Sequence, residues 1–386
     1  MFQLILGLSI LAGAGLGYFG GDAATYIKPL GDIFLNLVLT IVVPLIFFSI
    51  SAATSRAAQV GRIGKIFGTM VVVFTVGSLV AATLGLIIVQ IFPPALGVHL
   101  SLPAAESVAA PHLSEQLVAM LTVSNFSELW SHKNMLALML FAILFGVASA
   151  SSRVLSSFLE AGEEVMMRMF SYVMYYAPIG FFAYFAHLVM TLGPQVAVNY
   201  GRVTIIYYLF AAAYFVVVYS AYAYLTSSAL GLRIFWANIF LPASTSLATC
   251  SSAASIPANL KAAGAMGVEP EIYETTLPLG SLLHKHGSVM GGVFKIAFLF
   301  GVYQMDFSGL SIWLTAIGIA FLVGTVMGAI PSGGMLGELL IISAYGFPPE
   351  ALMIIAAISI IIDPMATLLN VTGNTAATYL IGRLAR

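Results

Sequence analysis

The chain has 386 residues, 60% of them hydrophobic and only 8% Asp, Glu, Lys or Arg, against about 25% charged in an ordinary soluble domain. A mean hydropathy of +1.03 excludes a water-soluble globule, and a net charge of −1 leaves no electrostatic footprint for nucleic acid. The lone cysteine, Cys250, excludes an internal disulfide framework, and no Cys/His spacing resembles a structural zinc site.

A membrane-spanning helix needs about 20 mostly apolar residues. Stretches free of acidic and basic residues run over 2–21, 33–55, 66–105, 134–152, 169–201 and 203–232, which gives six spans. The first lacks the basic start and small-residue cleavage site of a signal peptide and reads as a retained helix. Two later stretches are wrong for simple spans. Residues 234–260 carry Ser244, Thr245, Ser246, Thr249, Ser251, Ser252 and Ser255 ahead of Pro257, polarity that is expensive to offer lipid. Residues 307–337 break at Gly328-Ala329-Ile330-Pro331-Ser332-Gly333-Gly334. Irregular backbone at membrane depth survives only where protein buries it or a watery cavity wets it, so both stretches read as re-entrant hairpins with polar tips. Full helices follow each, at roughly 271–304 and 349–385. The plainer alternative is a pair of tightly packed Gly/Ser-rich helices. Two interrupted segments in corresponding positions of two halves point to a transporter site near the bilayer midplane.

In this threading Arg56, Arg62, Lys65, Arg153, Arg168, Arg233, Lys261, Arg383 and Arg386 share one side, with Lys28, Lys133 and Arg202 on the other. The positive-inside rule makes the richer side cytoplasmic. Both termini are then cytoplasmic, the first hairpin enters from the cytoplasm and the second from outside.

The run Asp363-Pro-Met-Ala-Thr-Leu-Leu-Asn370-Val-Thr-Gly-Asn374 resembles the eighth-helix signature of the dicarboxylate/amino acid:cation symporter family, the glutamate and aspartate transporters. Leu277-Pro278-Leu279-Gly280 followed by Gly287, Ser251-Ser252 ahead of Pro257, the Ile330–Gly334 tip, Tyr176-Ala177-Pro178-Ile179-Gly180 and Val43-Pro44-Leu45 fall in the family's order. The resemblance covers essentially the whole chain. It implies an all-α polytopic membrane protein with eight transmembrane helices and two re-entrant helical hairpins, working as a homotrimer of elevator type. The scaffold would take helices 1–2 (1–61) and 4–5 (113–195). The transport domain would take helix 3 (62–95) and a core over 197–386: helix 6, hairpin 232–263, helix 7 (271–304), hairpin 307–345 and helix 8 (349–385).

An ionisable side chain at membrane depth is by default a functional one. Asp363 falls where amino-acid-transporting relatives hold the substrate ammonium, and a structural cap or lysine partner is its plainer role. Thr367 and Asn370 share its helical face and match family positions that meet substrate amino and carboxylate groups. Ser251 and Ser252 of the first tip would add backbone N–H donors for the carboxylate, and Pro331, Ser332 and Gly333 of the second tip are expected beside the substrate, where helix N-termini favour an anion. Serines and threonines in such helices also serve as plain interhelical hydrogen bonds.

The chain departs from the family where charge is decided. Ala366 stands at the arginine position of acidic-substrate carriers, and Cys250 replaces the arginine that some relatives keep on the first hairpin. A second substrate carboxylate would lack a partner, so a neutral amino acid is expected. The sodium-binding Asn-Met-Asp-Gly-Thr reads His284-Lys285-His286-Gly287-Ser288 here. Asn374 replaces a carboxylate, and Phe74 and Gly77 replace hydroxyls beside Ser78. Lys285 is therefore expected to put an ammonium where sodium would sit, with His284 or His286 carrying the coupled proton. Alternatives are Lys285 as a fixed counter-ion of Asp363 or Glu338, giving uniport or exchange, and a His284/His286 metal site, which lacks a third ligand. Glu338 and Lys295 are expected to neutralise each other or relay protons. His99, His112, His132 and His187 read as solvated residues, and Trp130, Tyr172 and Tyr175 as interface or packing aromatics.

The expected function is thus a symporter of a small zwitterionic amino acid, coupled to protons rather than sodium, with no cofactor, lodged in a bacterial inner membrane. A dicarboxylate or acidic-amino-acid symporter using Lys285, and an uncoupled exchanger or anion-conducting channel, are the alternatives. Neither a nucleophile–base pair nor a His-Glu-x-x-His motif supports an enzyme.

Overall fold

A computed structural model describes residues 2–20, 23–60, 64–96, 118, 121–131, 134–192, 195–328 and 334–385. Among them there are helices and no strand, as lipid requires of a chain that must satisfy its backbone within each segment. In chain order they are α1 (Phe2–Phe19), α2 (Ala23–Val60), α3 (Gly64–Ile91), a 3-10 turn (Phe126–Trp130), α4 (Met135–Ser149), α5 (Arg153–Leu192), α6 (Gln195–Asn238), α7 (Phe240–Thr249), α8 (Ile256–Ala265), α9 (Pro270–Leu283), α10 (His286–Val302), α11 (Leu310–Gly328), α12 (Gly334–Tyr345) and α13 (Ala351–Leu384).

Among the described residues, five stretches are long and apolar enough to cross a bilayer: Ala24–Arg56, Ile66–Ile91, Arg153–Thr191, Val198–Asn238 and Ala351–Leu384. Residues 271–304, expected as one full helix, are divided, because His284 (φ −117°, ψ 98°) and Lys285 (φ −133°, ψ 67°) leave helical geometry between α9 and α10. The charge-free run 203–232 also differs from expectation. Ser227 (φ −151°, ψ 36°) and Ser228 (φ 52°, ψ −139°) break α6, and the chain turns back on itself there. Trp236 Nε1 donates to Ser220 Oγ at 3.0 Å, and a Cβ on Gly231 would lie 2.2 Å from the Ala223 carbonyl oxygen. The descending limb therefore starts at 229, ahead of the hairpin start expected at 232. Arg383 Nη1 holds the Thr226 carbonyl at 2.5 Å just before the reversal.

α7 and α8 have ten residues each, about 15 Å of helix, too short to cross 30 Å of hydrocarbon. They pack against each other around a tip where Cys250 adopts left-handed geometry (φ 48°). α11 and α12 likewise pack together. Their connection, with Pro331, Ser332 and Gly333, lies outside the described residues, as do His99, His112 and His132.

Packing falls mainly into two groups, joined where α4 meets α12 and α1 meets α13. α2 lies along α4 and α5, and α1 along α5. Gly13 and Gly17 allow that last approach, since a Cβ on either would come within 2.3 Å of the Phe182 or Ala186 carbonyl oxygen. The α2–α5 seam adds an Arg56–Glu163 ion pair at 2.9 Å and a buried Ser55–Ser156 hydrogen bond. In the second group α13 is the hub, packed by α3, α6, α7, α8, α9, α10 and α12. Most of α10 and α13 is buried, which places the broken helix and the Asp363 segment at the centre.

Candidate functional site

Four pieces of chain converge: the α7–α8 tip, the α9–α10 break, mid-α13 and α6. Lys285, nine-tenths buried, donates from Nζ to Ser252 Oγ at 2.9 Å, so its ammonium reaches the first hairpin's tip. Ser251 turns inward on its own loop, its Oγ accepting the Ala254 N–H at 3.2 Å. Asp363 is half-buried, accepts a hydrogen bond from Thr367 Oγ1 at 3.2 Å, and lies within Coulombic reach of Lys285 and of Cys250. One basic and one acidic side chain thus lie close to the serine tip.

Asn370, expected beside the substrate, is engaged here by the start of α10. Its Oδ1 accepts the backbone N–H groups of Gly287 (2.9 Å) and Ser288 (3.3 Å), and its Nδ2 donates to Ser288 Oγ at 3.0 Å. It caps α10 from a neighbouring helix, satisfying donors that every helix N-terminus leaves open. The same close approach sets Gly287 against α13, where a Cβ would lie 2.2 Å from the Ala366 carbonyl oxygen.

His284 and His286 are fully buried, their ring centroids 4.1 Å apart. Phe74 packs on His284 at 4.4 Å, where the resemblance expects a hydroxyl. His286 Nδ1 lies 3.2 Å from Tyr214 Oη and 3.4 Å from Tyr219 Oη. Tyr219 directs its proton to the Leu369 carbonyl at 2.6 Å, so towards Nδ1 it can only accept, whereas Tyr214 can donate or accept there. His286 Nε2 and both His284 nitrogens have no hydrogen-bond partner among the described residues. Gly77 leaves room here, since a Cβ on it would lie 2.4 Å from Tyr222 Oη and 2.6 Å from His286 Nε2. Asn374 donates to the Leu277 carbonyl at 2.9 Å, and its unpartnered Oδ1 points at Gly280. Glu338 forms an ion pair with Lys295 at 2.7 Å, away from Lys285. No group of three or more His, Cys, Asp or Glu side chains able to hold a metal occurs among the described residues.

The tyrosines of α6 are the part that sequence reasoning missed. Tyr200, Tyr208 and Tyr219 donate to the carbonyls of Ile354, Ile361 and Leu369 on α13, and Tyr207 donates to Gly287 at 2.9 Å. They fasten α6 along the site. Their hydroxyls recur within one apolar run, a signal for partners inside the membrane.

Ionisable side chains gathered at a broken helix within a bundle of apolar helices are the arrangement of a multi-pass membrane transporter. The chain belongs to the Sodium:dicarboxylate symporter family, which matches residues 1–384. It is 26% identical to the Proton/sodium-glutamate symport protein of Bacillus subtilis, over 99% of this chain and 91% of that protein. It is also 26% identical to the Proton/glutamate-aspartate symporter of Escherichia coli, with the same coverage. Identity to the C4-dicarboxylate transport protein of Edwardsiella ictaluri is 24%, over 98% of this chain and 91% of that one.

Proposed function

We propose that the chain carries a small zwitterionic amino acid, coupled to protons rather than to sodium. The observation that carries this reading is the Lys285 ammonium at Ser252, within electrostatic reach of the Asp363 carboxylate. A zwitterion matches two opposite charges: its ammonium faces Asp363, and its carboxylate faces Lys285 and the N–H groups of the tips. A dianion would meet one ammonium and one repelling carboxylate, leaving buried negative charge uncompensated. Ala366 and Cys250 offer no guanidinium to repair that.

Proton coupling is supported by what fills the family's cation region. Lys285 supplies a tethered cation, Phe74 covers His284, and His286 holds a bare Nε2 against Gly77 and Tyr222. Histidine is the side chain whose ordinary titration range spans neutral pH. We assign His286 as the proton acceptor. α1, α2, α4 and α5 would form the scaffold of a homotrimer, and α3 with α6–α13 the body that moves by an elevator displacement, with both helix pairs re-entrant.

The second reading, a dicarboxylate or acidic-amino-acid symporter, is favoured by the names of the relatives and by the reach of Lys285 into the pocket. Proteoliposomes given radiolabelled alanine, serine, aspartate and succinate under imposed proton or sodium gradients separate the two. The first reading expects alanine or serine to accumulate with the proton gradient, with Lys285→Met and His286→Asp uncoupling or abolishing uptake. Accumulation of succinate alone, or uptake that follows sodium and ignores pH, overturns it.

A further inference from the structure

A second set of charges lies outside the pocket. Lys295 on α10 and Glu338 on α12 are almost wholly buried, with side-chain exposures of 2% and 0%. Lys295 Nζ donates to Glu338 Oε1 at 2.7 Å and to Ser359 Oγ on α13 at 2.9 Å. The Ser359 hydroxyl also bonds the same carboxylate oxygen. Glu338 Oε2 is buried without a partner among the described residues. Ser359 is eight residues into α13, about 12 Å along the helix, and one turn before Asp363.

We propose that this triad is a cation site whose cation is built into the chain. Lys295 occupies, in covalent form, a position among Glu338 and Ser359 oxygens that would otherwise take a small soluble cation or a proton. Breaking a buried pair by removing one partner leaves an uncompensated charge, the most expensive state available. The region escapes it by taking up H⁺ at the carboxyl, or a hard monovalent cation among the carboxylate and hydroxyl oxygens in the space the ammonium leaves. The wild type needs neither, so this site is indifferent to the ions in solution. The inference requires only the buried triad, and is independent of the substrate and coupling ion proposed above.

Few other groups could mimic the effect. α11 and α4, which pack on α12, carry no ionisable side chain. α10 adds His286, nine residues before Lys295, α13 adds Asp363 and, near its far end, Tyr379 and Arg383, and α12 itself adds Tyr345.

The test uses the full-length purified carrier in detergent. Thermal midpoints of the wild type, Lys295→Met and Lys295→Met/Glu338→Gln are read from about pH 5 to about pH 8, in sodium, lithium or choline chloride. The Lys295→Met midpoint is expected to rise by about 3 °C or more on acidification, or in sodium or lithium over choline at the alkaline end. The wild type and the double variant, neutral at the triad, should not show this response. A Lys295→Met protein as indifferent as the wild type, or an equal response in all three proteins, overturns the proposal. Should Lys295→Met be lost at neutral pH, its recovery at acid pH alongside a stable double variant supports the site. Its loss at every pH overturns it, because no soluble cation then replaces the ammonium.

Discussion

Asn370 carries a structural role that its spacing alone does not announce. Its place on the face of Asp363 and Thr367 was legible from spacing four and seven residues on. Its engagement with Gly287 and Ser288 depends on α10 starting at that depth, and no local pattern encodes that. Removing the cap leaves two backbone N–H groups without their acceptor. Asn370→Ala is therefore expected to lower stability by about 2 kcal/mol, read as a drop in thermal midpoint without substrate present. Thr367→Val removes a hydroxyl whose partner is the Asp363 carboxylate, so it should raise the KM for substrate several-fold while leaving the midpoint nearly unchanged. A midpoint unmoved by Asn370→Ala, with KM raised instead, would return Asn370 to the substrate. The same contrast explains the missed tyrosines: each hydroxyl finds its carbonyl only once α6 lies against α13 or α10.

At the scale of elements, apolar runs, charge gaps and the serine cluster ahead of Pro257 marked where helices and the α7–α8 break fall. The reversal at Ser227–Ser228 was not legible, because residues 203–232 lack charged residues on both sides of the turn and hydropathy reads straight through it. The trace it left is the Thr226-Ser227-Ser228 polarity followed by Gly231, which a packed helix could equally carry. Ser228 holds φ 52° and ψ −139°, a geometry that favours glycine at the first corner of a tight reversal. Ser228→Gly is expected to raise stability by about 1 kcal/mol through release of that strain, and Ser228→Val to lower it by more. Thermal midpoints of the two variants check this, and a loss of stability in Ser228→Gly would show that the serine side chain matters more than its backbone.

Over the whole molecule, the charges gathered around α10 and α13 cancel in sum: Lys285 against Asp363, and Lys295 against Glu338. Their cancellation would lower the cost of the proposed elevator displacement through a low-dielectric slab, and it would make the electrical signature of transport depend on the cargo. A zwitterion travelling with one proton moves one positive charge, worth about 2.3 kcal/mol per 100 mV, roughly fifty-fold in accumulation. A monoanionic acidic amino acid with one proton moves none, and a dianion with one proton moves a negative charge. Proteoliposomes clamped by a potassium diffusion potential, with equal pH on both faces, distinguish the three without any variant. An inside-negative potential should drive alanine or serine inward, and reversing its sign should drive them out. Uptake indifferent to the potential would instead indicate an acidic amino acid moving with its proton, or exchange without net charge. Uptake opposed by an inside-negative potential would mean a dianionic cargo, and the zwitterion reading of the Lys285–Asp363 pocket would fall with it.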